Sequence, residues 1–141
     1  MHYHGYFWRG TQHERVQEQA NSHINGPRFH QSPVPPIKIC WWLRKPAYLI
    51  SDTWDTPEEA TQWMADQYKA IQHELDTDSP YWKPTEERYA AAIHDLSLGR
   101  DITWNYHLRG DTRVFVAAVC CPNGWEDTLR CPLDALAVHQ T

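Results

Sequence analysis

Residues 102–121, ITWNYHLRGDTRVFVAAVCC, decide the fold. Ile102, Trp104, Tyr106 and Leu108 alternate with Thr103, Asn105 and His107, the period-2 pattern of a strand with one buried face. Arg113 to Cys121 is apolar on both faces and rich in β-branched residues, as a strand covered on two sides requires. Between them lies Arg109-Gly110-Asp111-Thr112, where Gly110 accepts positive φ and a two-residue turn fits. Pairing 109 with 112 sets Tyr106 opposite Phe115, Trp104 opposite Ala117 and Ile102 opposite Val119. Trp104, Tyr106, Phe115 and Val119 then share one apolar face. The other face, with Thr103, Asn105 and His107, is half polar.

Working outward, residues 1–8, MHYHGYFW, form a strand with Tyr3, Gly5 and Phe7 on one face and His2, His4, Tyr6 and Trp8 on the other. Thr11 and Glu14 make a capping box for a polar surface helix that ends at Gly26-Pro27. Residues 26–36 hold four prolines and no periodicity, an extended connector too short to separate two domains. IKICWWL (37–43) and AYLIS (47–51) read as two more strands, with Pro46 marking an edge. Thr56-Pro57-Glu58-Glu59 supplies an N-cap, a proline at the first helical position and an acid in the first turn. Ala60, Trp63, Met64, Tyr68, Ile71 and Leu75 keep one helical face after it. Thr85 caps a third helix, with Tyr89, Ala92, Ile93 and Leu96 as its stripe and Gly99 as its stop. Residues 132–141 are a short tail whose Leu133, Leu136 and Val138 can dock on the core. The expectation is one α+β domain over 1–141, a mainly antiparallel sheet of about five strands with two or three helices packed on it.

The 141 residues carry a formal charge of -5, with no Lys/Arg cluster, which argues against duplex nucleic acid or an anionic membrane as partner. No run reaches the ~18 apolar residues of a membrane span. The N-terminus lacks the basic and apolar segments of a signal peptide, so a cytoplasmic chain with four reduced cysteines is expected. There is no G-x-S-x-G, Walker A, G-x-G-x-x-G or H-E-x-x-H, and no cofactor is called for.

Three groups of residues are candidates for a site. Eight tryptophans are many for this length, and Trp8, Trp42, Trp54, Trp82 and Trp125 sit where rings are exposed. Exposed rings anchor interfaces, which favours a protein partner or self-association as a homodimer, with single-stranded nucleic acid as an alternative. An enzyme or ligand site is the other alternative, on the Thr103/Asn105/His107 face, with His107, Asn105 and Arg109 as catalytic candidates. His2 and His4, two apart on one strand face, form half of a metal site. Cys120 and Cys121 point to opposite faces, so one of them joins Cys131, and Cys121 with Cys131 forms a second pair. Neither pair has a third ligand placed by sequence, and the balance falls on no metal.

Overall fold

The computed structural model describes residues 1–76 and 83–134. Among them are four strands, β1 (His2–Thr11), β2 (Ile50–Trp54), β3 (Ile102–His107) and β4 (Thr112–Cys121). Three α-helices accompany them, α1 (Gln12–Gln17), α2 (Pro57–Ile71) and α3 (Glu86–Ser97). The strands form one antiparallel sheet in the order β2-β1-β4-β3. The architecture is α+β, with β4 inside the sheet and buried on both faces as its apolar sequence requires.

The hairpin register differs by one residue from the expected one. Trp104 pairs with Val116 and Tyr106 with Val114. Gly110 and Asp111 both take left-handed φ, 75° and 65°, and the Leu108 N–H donates to the Thr112 carbonyl at 2.8 Å. The reversal therefore uses three residues, and a slip of one exchanges the faces of a strand. Trp104 and Tyr106 pack with Val114, Val116, Ala118 and Cys120, while Ala117 and Val119 belong to the opposite core.

The helices cover the first of these faces. Thr56 Oγ1 accepts from the Glu59 N–H at 3.2 Å and Thr85 Oγ1 from the Arg88 N–H at 3.2 Å, the two caps expected from sequence. Gly99, at φ 79°, stops α3, and Arg100 N–H returns to the Asp95 carbonyl at 2.9 Å. Ala60, Met64 and Ile71 of α2 and Ala92 and Leu96 of α3 complete this core with Tyr3.

Among the described residues, the second face carries no long helix. Ile39–Arg44 and Ala47–Leu49 are short 3-10 turns; the strand expected over 47–51 begins only at Ile50, as β2, and the described residues hold four strands, not five. An apolar run of seven residues does not by itself separate strand from helix. Here i to i+3 bonds, such as Lys45 N–H to the Trp42 carbonyl at 3.0 Å, bring Cys40, Trp42 and Leu43 onto Tyr6, Ala117 and Val119. The proline-rich connector is packed as well, with Phe29 and Val34 buried. The Lys45 ammonium lies 4.2 Å from the Phe29 ring centroid and donates to the carbonyls of Phe29 and Ser32 at 3.0 and 2.6 Å. The first helix is shorter than expected. Beyond Gln17 the side chains compete with the backbone: Asn21 donates to Glu18 and accepts from the Arg28 N–H, leaving a 3-10 turn at Gln19–Ser22. No helix among the described residues is long and apolar enough to cross a membrane. Leu133 is exposed, so it does not dock on the core; Leu136 and Val138 lie outside the described residues.

Candidate metal centre

The second face of β1 carries His2, His4, Tyr6 and Trp8 in alternation, and the β1–β4 register sets His2 directly opposite Cys121. Alternation along β4 sends Cys120 to the helix side, where its thiol lies 3.8 Å from the Leu96 carbonyl, and leaves Cys121 beside the histidines. Cys131 arrives by a ten-residue excursion. Asn123 holds its first turn: its amide nitrogen donates to Asp101 and to the Cys120 carbonyl, and its side-chain oxygen accepts from Trp125 and Glu126 N–H. Gly124 lies so close to Gly99 that a Cβ there would sit 2.3 Å from the Gly99 carbonyl oxygen. Leu129 is then buried in the second core, and Cys131 comes to rest over the start of β1.

The ligand atoms of His2, His4, Cys121 and Cys131 all lie within 4.8 Å of one another. The two Nε2 atoms are 3.1 Å apart, and Cys131 Sγ is 3.4 Å from His4 Nε2 and 3.5 Å from His2 Nε2. Tetrahedral zinc has Zn–N of about 2.0–2.1 Å and Zn–S of about 2.3 Å, which puts the edges of the tetrahedron at about 3.3 Å (N–N) and 3.6 Å (N–S). The His2, His4 and Cys131 donors therefore stand close to the spacing that a single ion gives its ligands, and Cys121 Sγ lies within 4.8 Å of each of them. Softness agrees, since two imidazoles and two thiolates in a tetrahedron suit zinc.

The surroundings orient the donors. Thr53 of β2 pairs across the sheet with His4, and its Oγ1 is 2.8 Å from His4 Nδ1, which leaves Nε2 to face the other ligands. Burial, and then the neighbouring His2, lower the His4 pKa from 6.5 to about 4, so its imidazole is neutral and able to ligate. Burial, and then Cys131, push the Cys121 thiol up to about 12. A divalent cation reverses that order and holds the sulfur as thiolate. Tyr6 is fully buried next in the same row, and its phenol is raised first by burial and then by Cys131 and Cys121. Its hydroxyl has no hydrogen-bond partner among the described residues. A cleft of about 400 Å³, walled by His2, Cys121, Cys131 and Asp134, opens onto the donors.

The other candidate residues are not drawn together. His107 and Asn105 are exposed on β3, with Asn105 accepting from the Thr103 hydroxyl at 2.9 Å. Arg109 donates to the His73 carbonyl at 2.9 Å. Of the tryptophans expected at the surface, Trp8 (9% exposed) and Trp42 (4%) are buried. Trp42 stacks on Tyr6 with centroids 4.8 Å apart, and Trp8 packs edge-on against Phe115. Trp54 is half-buried against Trp63, Trp125 is 68% exposed, and Trp82 lies outside the described residues. Sequence reasoning missed Thr53 and Tyr6. Tyr6 was signalled by its place in the His2/His4 alternation, whereas Thr53 depended on the β1–β2 register.

Comparison with models of known families, with curated proteins and with solved structures finds no match to this chain.

Proposed function

We propose that this protein is a zinc-binding α+β domain, in which one Zn²⁺ held by His2, His4, Cys121 and Cys131 fastens the chain after β4 to the first strand. The observation that carries the reading is the convergence of four donors within 4.8 Å, with His2, His4 and Cys131 separated by 3.1, 3.4 and 3.5 Å, close to the N–N and N–S edges of a zinc tetrahedron. Four side-chain ligands leave no position for a substrate, so the ion is structural rather than catalytic. The two residue pairs weighed separately in the sequence become one site because the β1–β4 register and the return of Cys131 place them on one side of the sheet. Native mass spectrometry with metal analysis is the test. One zinc per chain is expected, retained through dialysis and lost from Cys131→Ser; a metal-free native protein in zinc-supplemented buffer overturns the reading.

Binding of another protein, or self-association, is supported by a narrower set of rings than the sequence offered. Trp125 stands on the segment that the zinc would fasten, 68% exposed, and Tyr48 and Ile37 are also exposed. Sedimentation at rising concentration tests the self-association form of this reading. A dimer lost in Trp125→Ala supports it, and a monomer at every concentration removes it.

A further inference from the structure

We propose that Cys121 and Cys131 are a peroxide-oxidisable pair, whose conversion to a disulfide releases the zinc while keeping the same loop closed. This rests on the zinc reading above. Three features of the site point to it. Its two sulfur ligands are neighbours, lying within 4.8 Å of each other. They belong to one continuous segment, so a covalent bond between them closes the same ten-residue excursion that the metal closes. Cys131 also lines two clefts, the one of about 400 Å³ over the donors and a second of about 690 Å³ between residues 43–48 and 128–132, and Cys121 lines the first of these but not the second. Both cysteines are mostly buried, and the clefts that Cys131 lines are the route by which a small oxidant would reach it.

The chemistry balances with a hydroperoxide as the two-electron oxidant. The Cys131 thiolate attacks a peroxide oxygen; the O–O bond breaks, a sulfenic acid forms on Sγ, and the departing hydroxide takes a proton to give water. The Cys121 thiolate then attacks Cys131 Sγ. The S–S bond forms, the S–O bond breaks, and the second oxygen leaves as water after protonation. Two thiolates have lost two electrons in total and one hydrogen peroxide has become two waters. Only the two neutral imidazoles then remain as ligands, too few to retain the ion against water and buffer.

Cys40 and Cys120 are built-in controls. Cys40 lies in the second core with Trp42 and Leu43, and Cys120 in the first core beside Leu96, on the far side of the sheet from Cys121. Neither lines the clefts around Cys131.

The experiment starts from protein shown by native mass spectrometry to carry zinc, so that failure of the zinc reading is seen before oxidation begins. Hydrogen peroxide is titrated in with a chromophoric zinc indicator present, and the products are mapped by peptide mass spectrometry under non-reducing conditions. The expected result is one zinc released for each loss of two hydrogens. The only new linkage is Cys121–Cys131, Cys40 and Cys120 remain thiols, and a dithiol with added zinc restores the starting mass. His2→Ala, which keeps both sulfurs, is expected to form the same disulfide with less zinc to release, guarding against a Cys131→Ser variant that does not fold. Zinc-loaded protein that keeps its metal under peroxide overturns the proposal. So does release accompanied by sulfinic acid or by any other cysteine pairing.

Discussion

Free zinc concentration should set the melting temperature of this protein. An ion that binds only the folded chain adds about 1.4 kcal/mol of stability for each tenfold rise in its concentration above Kd, and about 4 kcal/mol at a thousandfold excess. For 141 residues the unfolding entropy of about 2.1 cal/mol/K per residue amounts to about 0.3 kcal/mol/K. The melting temperature should therefore climb about 4–5 °C per decade of free zinc, and chelation from a thousandfold excess should lower it by about 14 °C. The structure also says where the loss begins. Without zinc the excursion from 122 to 131 is still held at its start by the Asn123 bonds to Asp101 and the Cys120 carbonyl, and in its middle by buried Leu129. Amide exchange should rise first around 129–134, well before α2 and α3. Scanning fluorimetry across a series of zinc buffers makes the measurement, with Cys131→Ser expected to show no slope. A wild-type melting temperature that stays flat from chelator to micromolar zinc would refute the reasoning.

Four further outcomes follow from named contacts. Thr53→Val removes the hydroxyl at His4 Nδ1 and should weaken zinc binding about 10- to 100-fold, measured by competition with a chromophoric chelator; unchanged affinity would show that Thr53 does not orient the ring. In the zinc-free protein His4 has its pKa lowered from 6.5 to about 4, so the unfolded chain takes up a proton first and stability is lost as pH falls from 6.5 to 4, by up to about 3 kcal/mol. Urea unfolding of the chelated protein at pH 7 and pH 4.5 checks this against a His4→Gln variant, which should lack that component. Burial lowers Lys45 to about 8, so its unfavourable protonated form is relieved as pH rises from 8 toward 10; Lys45→Met should remove that rise in the stability profile, and an identical profile would count against it. Gly5→Ala puts a Cβ 2.7 Å from the Trp54 ring and 2.9 Å from Trp63, and should cost about 1–3 kcal/mol in denaturant unfolding; a change within error would mean that the rings move aside freely.

What the chain determined locally was legible residue by residue. Thr56 with Pro57, and Thr85 with Gly99, mark α2 and α3 because capping and positive φ are short-range requirements met by those residues alone. Alternation exposed β1 and β3, and the doubly apolar run exposed β4 as an inner strand. Opposite orientations for Cys120 and Cys121 followed from the same period of two.

Other features required the tertiary structure. The one-residue slip of the hairpin turned on Asp111 joining Gly110 in the left-handed region, a choice that the flanking strands make and the turn residues merely permit. Ile39–Arg44 and Ala47–Leu49 form 3-10 turns instead of strands because the second face of the sheet offers Cys40, Trp42 and Leu43 a core to fill, and an apolar run carries no record of which backbone will bury it. The same core buried Trp8 and Trp42, removing them from the surface. The candidate metal centre shows the division most clearly. Sequence supplied two pairs of donors more than a hundred residues apart, each too small to hold an ion. Antiparallel pairing of β1 with β4 set His2 against Cys121, and the Asn123 turn with buried Leu129 brought Cys131 back to His4. The identity of the four candidate donors is written in the chain, but their convergence within 4.8 Å is a property of register and loop closure, which only the folded sheet fixes.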